Sequence, residues 1–236
     1  MSLRETLLSG AAEWGLTLPP EAPERFEAYY AFLDEANRVM DLTAVMGEEE
    51  TARRHFLDSL SLLRFRDFRN TRVIDVGSGA GFPGLPLKLA EPGIALTLLD
   101  AQGKRVDFLA ALCEKLGVEV RCVHARAEEE ALKAPERDGY DYAVSRAVAR
   151  LNMLSELCLP FVKTGGCFIA MKGPDCAAEL DEARGAIRLL GGEYEQTLRY
   201  TIPGTDIVHS LVVVRKTGGT PARYPRPWAQ IKKKSL

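Results

Sequence analysis

An alternating set of glycines next to an apolar run is the part of this 236-residue sequence best suited to hold a ligand. The glycines lie within Gly77 to Gly81 and directly follow the segment Val73 to Val76, which is β-branched at every position except Asp75. Glycine lets the backbone turn sharply and bring its amides close to a ligand, because no Cβ stands in the way. Pro83 suits the first turn of a helix, so we predict a strand, a ligand-binding loop and a helix from Phe82 to Ala90.

Two acids accompany this loop. Asp75 lies at the end of the first apolar run, and Asp100 ends a second one, Ala95 to Leu99. The two hydroxyls of a ribose can both donate to one carboxylate placed there. A P-loop would need a following Gly-Lys-Ser/Thr, and a nicotinamide fingerprint would need glycine where Phe82 stands. Strand-end acids around a Gly-x-Gly-x-Gly loop resemble instead the S-adenosylmethionine site of Rossmann-like methyltransferases. The alternative is an ordinary loop with two helix-capping acids.

The composition predicts a folded chain without a membrane segment. Hydrophobic residues make up 46% of the sequence, enough for a full core. No apolar run has the length of a membrane span, and Arg4 and Glu5 interrupt the place of a signal peptide, so we expect a soluble cytoplasmic protein. The five cysteines form no C-x-x-C pair and the three histidines are remote from one another, which predicts reduced thiols and no metal site.

Charge is distributed unevenly along the chain. The formal net charge is −2, yet residues 215–236 contain seven lysines and arginines and no acid. The net charge argues against nucleic-acid binding over the whole surface. The basic segment is either a solvated terminus or an arm that contacts phosphates.

Apolar periodicity divides the chain into three parts. Helical spacing predicts a helical cap over residues 1–70, in which Leu3, Leu7, Leu8 and Ala11 share one face. Strands then alternate with helices over residues 71–216, which predicts a mostly parallel sheet covered on both faces, with an antiparallel C-terminal hairpin at its edge. Residues 217–236 form the basic C-terminal tail.

Four of the predicted boundaries depend on short local signals. We expect a strand from Glu119 to Val123, a short helix from Ala127 to Ala134, a helix from Leu151 to Val162 and a strand from Cys167 to Met171.

Several motifs of the chain occur in an order that resembles a known family. They are Asp41–Ala44, Arg54–Ser59, Ile74–Pro86, Gly103–Arg105, Ser145–Ala147, Met171–Gly173 and Tyr224–Arg226. Together they resemble the bacterial small-subunit ribosomal RNA guanine-N7 methyltransferase family, once called glucose-inhibited division protein B, over nearly the whole chain. The sequence departs from the family pattern at Asp41, where asparagine is common, and at Pro227-Trp228, where another basic residue and glycine are usual.

The resemblance implies a Rossmann-like class I methyltransferase fold, S-adenosyl-L-methionine as cofactor and N7 of guanine 527, in the 530 loop of 16S rRNA, as methyl acceptor. The partner would be 16S rRNA, the 30S subunit or an assembly intermediate, and we expect a monomer. The local chemistry agrees, because guanine N7 has an in-plane lone pair and no proton and therefore needs no general base. An arginine or lysine at O6 would fix the guanine edge.

The resemblance also implies roles for individual residues. The predicted catalytic residues are Arg146, Lys172 and Arg126, of which the first two follow strands and should face the site. The predicted cofactor-binding residues are Asp75, Gly77, Ser78, Gly79, Gly81, Phe82, Asp100, Ala101, Gln102, Ala127, Glu128 and Arg146. The predicted RNA-binding residues are Lys104, Arg105, Tyr224 and Arg226. We interpret His55 as a structural histidine between the cap and the sheet.

Two other functions share parts of this pattern. A methyltransferase of the same fold could act on another RNA, a protein or a small molecule. A non-catalytic RNA-binding module could also retain the fold, although the intact glycine loop with Asp75 and Asp100 argues against it. Aromatic residues among the cations of the tail favour RNA.

Overall fold

A computed structural model describes residues 1–236 and contains one seven-stranded sheet. The strands are β1 (Arg72–Val76), β2 (Ala95–Asp100), β3 (Arg121–His124), β4 (Tyr140–Arg146), β5 (Val162–Lys172), β6 (Gly192–Thr201) and β7 (Val208–Lys216). Their spatial order is β3-β2-β1-β4-β5-β7-β6. The first five are parallel, and β7 runs antiparallel to both β5 and β6. The prediction of a mostly parallel sheet with an antiparallel C-terminal edge is confirmed.

Ten α-helices surround the sheet. They are α1 (Leu3–Glu13), α2 (Ala22–Met40), α3 (Glu48–Thr51), α4 (Asp58–Leu60), α5 (Gly84–Ala90), α6 (Gly103–Leu116), α7 (Ala127–Glu130), α8 (Leu151–Cys158), α9 (Ala177–Leu189) and α10 (Trp228–Lys233). A π-helical turn, Ala52–Leu57, joins α3 to α4, and 3₁₀ turns follow at Ser61–Arg64 and Leu159–Phe161. Single-turn π-helices are frequent at functional sites.

Local signals explain the first two helices. Ser2 and Glu5 form a reciprocal capping box at the start of α1, and α2 ends at Asp41 in the left-handed conformation. The prediction that Leu8 shares a face with Leu3, Leu7 and Ala11 is wrong, since those three residues are buried and Leu8 is 42% exposed. Leu8 follows Leu7 by one position and therefore points about 100° away from the buried face.

The hydrophobic core lies on both faces of the sheet. One cluster joins α1, α2 and the π-helical turn to α5, α6 and the sheet, through residues such as Tyr29 and Phe56. The other joins α8 and α9 to the opposite face and includes Tyr224 and Ile231 from the C-terminal segment. The cap and the C-terminal segment are therefore packed against the two faces of the same sheet.

Five predicted boundaries are shifted. β3 begins two residues later than predicted, and α7 ends at Glu130. The helix predicted to reach Val162 ends at Cys158, because Pro160 cannot continue the α-helical hydrogen bonding, and β5 begins at Val162 rather than Cys167. Likewise, α5 begins at Gly84 rather than Phe82, and Pro83 is its N-cap residue.

Candidate active site

A cavity of about 480 Å³ opens at the carboxyl edge of the parallel strands. One part, the glycine-loop end, is lined by Gly77–Gly79 and Asp100–Gln102, which follow β1 and β2. The other part, the cap end, is lined by Thr43 and His55 from the cap and by Arg146 from the end of β4. Parallel sheets present their ligands at this edge.

Asp100 organises the glycine-loop end. Its side chain is 5% exposed, and it accepts hydrogen bonds from the amides of Gly79 (3.0 Å, to Oδ2) and Gln102 (2.8 Å, to Oδ1). Each carboxylate oxygen can accept about two hydrogen bonds. One acceptor position on each oxygen therefore remains for a ligand, which suits the two hydroxyls of a diol.

The glycine loop itself requires glycine at two positions for different reasons. Gly79 has φ +58° and faces open space, so it can bring its backbone close to a ligand. Gly81 has φ +102°, and a Cβ there would lie 2.5 Å from the hydroxyl of Tyr29, which donates to the carbonyl of Ala80 (2.6 Å). Tyr29 of the cap thus contacts the glycine loop on the side away from the cavity.

Asp75 lies beneath the loop rather than in the cavity. Its carboxylate is fully buried, with Oδ2 accepting from the amide of Gly84 (2.7 Å) and Oδ1 without a protein partner. Burial raises the pKa of the Asp75 carboxyl from 3.8 to about 7. The residue fixes the junction between the loop and α5.

Replacing Asp75 by asparagine is expected to stabilise the protein increasingly as the pH rises from about 4 to about 7. In that window the folded protein keeps a proton on Asp75 that the unfolded chain releases, so this carboxyl destabilises the fold progressively as pH rises. Urea unfolding of both proteins at several pH values measures the effect. Proton uptake at His55 is common to both proteins and cancels in the difference, so a difference that does not change with pH would contradict the prediction.

A buried carboxylate controls the cap end. Asp58 is 1% exposed and accepts hydrogen bonds from Arg146 (2.8 Å), His209 (2.7 Å) and Tyr200 (2.7 Å). Burial alone would raise the pKa of Asp58, but the hydrogen bond from His209 and the charge of Arg146 lower it below its ordinary value. The Asp58 carboxylate therefore connects the cap to the end of β4 and to the antiparallel hairpin formed by β6 and β7.

His55 and Phe82 form an aromatic floor beside Arg146. Their rings stack with centroids 4.3 Å apart, and the guanidinium carbon of Arg146 lies 4.9 Å from the centroid of Phe82. Burial and then the charge of Arg146 lower the pKa of His55 to about 3. The imidazole is therefore neutral at physiological pH.

The remaining wall comes from the third strand and the tail. Arg126, which follows β3, pairs with Glu128 (2.6 Å) and places its guanidinium carbon 4.7 Å from the ring centroid of Trp228. All three residues line the cavity. A residue near the C-terminus thus completes the wall.

Comparisons with known proteins match one family over most or all of the chain. The model of the GidB family, rRNA small subunit methyltransferase G, matches residues 22–204. The chain is 46% identical to a protein of that name from Alkaliphilus oremlandii, covering 96% of this chain and 95% of that protein. It is 42% identical to the one from Acetivibrio thermocellus, covering 100% of this chain and 98% of that protein.

This similarity decides the family. The chain belongs to the rRNA small subunit methyltransferase G family. Among solved structures, TrmN from Thermus thermophilus is 19% identical with a TM-score of 0.53, covering 67% of this chain and 48% of that one, which shows a shared fold. The family resemblance and the fold class predicted from the sequence are confirmed.

Most of the predicted site residues lie together in this member of the family. All of the predicted cofactor-binding residues except Asp75 and Gly81 line the cavity, as do Arg105, Arg126 and Arg146. Asp75 and Gly81 lie behind the loop and shape it. Lys104 is exposed and does not line the cavity.

Lys172 does not face the cavity as the sequence predicted. Its ammonium group donates to the carbonyl of Ala149 (2.8 Å) and to Glu179 of α9 (2.7 Å). Glu179 also accepts from the amide of Leu151. Lys172 is turned toward α9, where an acid is available, and it stabilises the connection between β4 and α8.

The tail of this family member is docked on the protein. Arg226 forms a bidentate pair with the buried Glu156 (2.6 and 2.8 Å), and Tyr224 is buried beside α8. Arg137 donates to the carbonyls of Tyr224 (2.9 Å) and Thr220 (2.7 Å). The two predicted RNA-binding residues of the tail therefore anchor it, because a buried acid holds the arginine and apolar packing holds the tyrosine.

Several cavity residues were missed by sequence reasoning. They include Leu42, Thr43, His55, Val148, Leu157 and Trp228. The break in helical periodicity at Asp41–Ala44 was a usable signal for the first two, since functional residues often lie on loops between rigid elements. No comparable signal marked Trp228, which reaches the cavity only because the tail folds back.

No helix, α2 with its 19 residues included, combines the length and apolar character of a membrane span. No group of three histidine, cysteine, aspartate or glutamate side chains is arranged to hold a metal ion, and all five cysteines are free thiols.

Proposed function

We propose that this protein transfers a methyl group from S-adenosylmethionine to N7 of a guanine in 16S rRNA, at position 527 of the 530 loop. Membership of the rRNA small subunit methyltransferase G family supports the substrate class. The observation that carries the reaction is a single cavity with a diol-accepting carboxylate at one end and a cationic, aromatic surface at the other.

The residues present fit the cofactor. Asp100 has free acceptor positions for the ribose hydroxyls, the glycine loop allows close approach to Gly79, and Ala127 with Trp228 offers an apolar wall for the base. When bound, S-adenosylmethionine supplies the methyl group of a sulfonium, and the positive charge passes to the purine on transfer.

The cap end suits an acceptor that has no proton to remove. His55 is neutral, but both of its ring nitrogens are engaged, by Thr43 (2.7 Å) and Arg146 (3.0 Å). Arg146 itself is paired with Asp58. These residues can orient a guanine and adjust the local charge, and none of them is free to act as a general base.

We propose that the three parts of the chain divide this work. Residues 1–70 supply Thr43 and His55 to the acceptor, residues 71–216 supply the cofactor site, and residues 217–236 supply Trp228. In the tail, the exposed Lys232–Lys234 are better placed than Arg226 to contact phosphates, because Arg226 is already paired. Phosphate contacts of this kind should make the affinity for RNA depend steeply on the salt concentration.

Trp228→Ala is expected to weaken S-adenosylmethionine binding about three- to tenfold, the size of an aromatic or cation–π contact. Replacing Lys232–Lys234 by alanine should leave that affinity unchanged and flatten the salt dependence of RNA binding. Calorimetry with the cofactor and filter binding with 16S rRNA separate the two effects, with Trp228→Phe as the matched control. Unchanged cofactor affinity in Trp228→Ala would remove the tail from the cofactor site.

The function is tested by mapping methyl transfer. Free 16S rRNA, mature 30S subunits and assembly intermediates are purified from cells lacking the protein and incubated with tritiated S-adenosylmethionine. Label at one guanine, released by cleavage chemistry specific for 7-methylguanine, is expected, and comparing the three substrates identifies the true one. Label on another base, another atom or a protein would overturn the proposal.

A further inference from the structure

We infer that the hydroxyl of Thr43 donates the hydrogen bond that recognises O6 of the acceptor guanine. Thr43 would then be a specificity-determining residue for the reaction proposed above, on which this inference rests. It replaces the sequence-based expectation that an arginine or lysine meets O6.

The neighbours of His55 determine which ring nitrogen carries its proton. Nδ1 of His55 lies 3.0 Å from a terminal nitrogen of Arg146, which can only donate. A proton on Nδ1 would set two N–H groups against each other, so Nδ1 must accept. The carbonyl of Arg54, 3.1 Å from the same nitrogen, has another donor in Arg146 (3.1 Å). The neutral ring therefore carries its proton on Nε2.

This proton fixes the direction of the Thr43 hydroxyl. Nε2 of His55 donates to Oγ1 of Thr43 (2.7 Å), and the amide of Val45 donates to the same oxygen (3.0 Å). A hydroxyl oxygen has two lone pairs, and both are now used. The hydroxyl proton has no acceptor in the protein, and Thr43 lines the cavity, so this donor is available to a ligand there.

The backbone around Thr43 is held in place independently. Oδ1 of Asn37 accepts from the amides of Leu42 (2.7 Å) and Thr43 (2.8 Å), and its Nδ2 donates to the carbonyl of Thr43 (2.8 Å). A donor fixed in this way requires little reorganisation when a substrate binds.

Charge explains why a neutral donor suits this position. Methylated N7 makes the purine cationic, and O6 lies on the same edge. A full positive charge donated to O6 would be repelled as that charge develops. Arg146, the cation that contacts His55, is neutralised by Asp58 and already makes three hydrogen bonds to the protein, while His55 is uncharged. Lys172 points elsewhere. The Thr43 hydroxyl contacts O6 without adding charge.

The same donor would discriminate between purines. Guanine offers N7 and O6 as neighbouring acceptors, whereas adenine presents an amino donor in place of O6. Adenine would therefore place a donor against the Thr43 hydroxyl and leave that hydroxyl unpaired.

The test crosses two protein variants with two acceptor bases. Single-turnover methyl transfer is measured on 30S subunits reconstituted with 16S rRNA that carries either guanine or 2-aminopurine at the acceptor position. The second base keeps N7 and has no oxygen at C6. Thr43→Val should slow transfer to guanine about tenfold to a hundredfold but slow transfer to 2-aminopurine much less. Thr43→Ser should restore transfer to guanine, and affinity for S-adenosylhomocysteine should stay unchanged.

Each outcome has a definite meaning. Thr17→Val, on an exposed residue outside the cavity, controls for the loss of a threonine hydroxyl. Equal slowing on both bases in Thr43→Val would show a purely structural role for the hydroxyl and overturn the inference. If the unmutated enzyme methylates no guanine N7, the proposed function falls, and the inference falls with it. If it does, and Thr43→Val is as fast as the unmutated enzyme, only the inference falls.

Discussion

Asp58→Asn is expected to slow methyl transfer about a hundredfold and to lower the free energy of unfolding by about 3 to 5 kcal/mol. The carboxylate accepts hydrogen bonds from three residues that lie on β4, β6 and β7, and it is almost completely buried. An asparagine can accept at one atom only and carries no charge. Arg146 would be left uncompensated beside the acceptor base.

The activity loss has a cause separate from the stability loss. Without Asp58, the guanidinium of Arg146 is free to rotate, and its hydrogen bond to Nδ1 of His55 is no longer fixed. Its positive charge would also oppose the charge that develops on the purine. Single-turnover transfer measured at a temperature where the variant is folded isolates this effect from unfolding.

Asp67→Asn is the matched control. Asp67 also pairs with an arginine, Arg69, but on the exposed surface and away from the cavity. Its removal should leave transfer unchanged. An Asp58→Asn protein that folds normally and transfers at the unmutated rate would show that the buried pair is not needed to hold Arg146.

The glycine loop and its two acids could be predicted because their signals are local. A β-branched run, alternating glycines and a following apolar run occupy consecutive positions. The first favours an extended backbone, the glycines permit the sharp turn that other residues resist, and the last has helical spacing. The alternation of strands and helices then determines a parallel sheet and places both acids at one edge. Asp100 and the loop amides consequently lie where the sequence predicted.

The partners of the charged side chains could not be predicted in this way. Asp58 and His209 are 151 residues apart in the chain, and Arg226 and Glu156 are 70 apart. The residues next to an arginine in the sequence do not indicate whether it pairs with a buried acid or with a phosphate. For the same reason Lys172, which ends β5 at the expected edge of the sheet, could not be predicted to turn toward α9.

For His55, the sequence predicted the structural contact but not the position in the cavity. The sequence favoured a structural histidine between cap and sheet, and its ring does stack on Phe82 at that junction. It also lines the cavity, because the π-helical turn directs it toward Thr43 and Arg146. The imidazole of His55 therefore packs at the junction of cap and sheet and also forms part of the cavity wall.

Asp100→Ala is expected to weaken S-adenosylmethionine binding about a hundredfold or more. Each hydrogen bond to a charged group contributes about 1.5 to 3 kcal/mol, and a ribose offers two. The alanine also leaves the amides of Gly79 and Gln102 without their acceptor, so the loop loses part of its fixed shape. Calorimetry measures the affinity, and Asp107→Ala, an exposed acid on α6, is the control.

A ligand variant separates the direct contact from the loop effect. S-adenosylhomocysteine and its 2′-deoxy counterpart are titrated into the unmutated protein and into Asp100→Ala. If the carboxylate accepts from the ribose, the substitution should weaken binding of the complete nucleoside more than that of the deoxy compound, because one of the lost hydrogen bonds is already absent from the latter. Equal losses for both ligands would mean that Asp100 acts only through the loop. The free acceptor position on each carboxylate oxygen would then have to be filled by water instead of ribose.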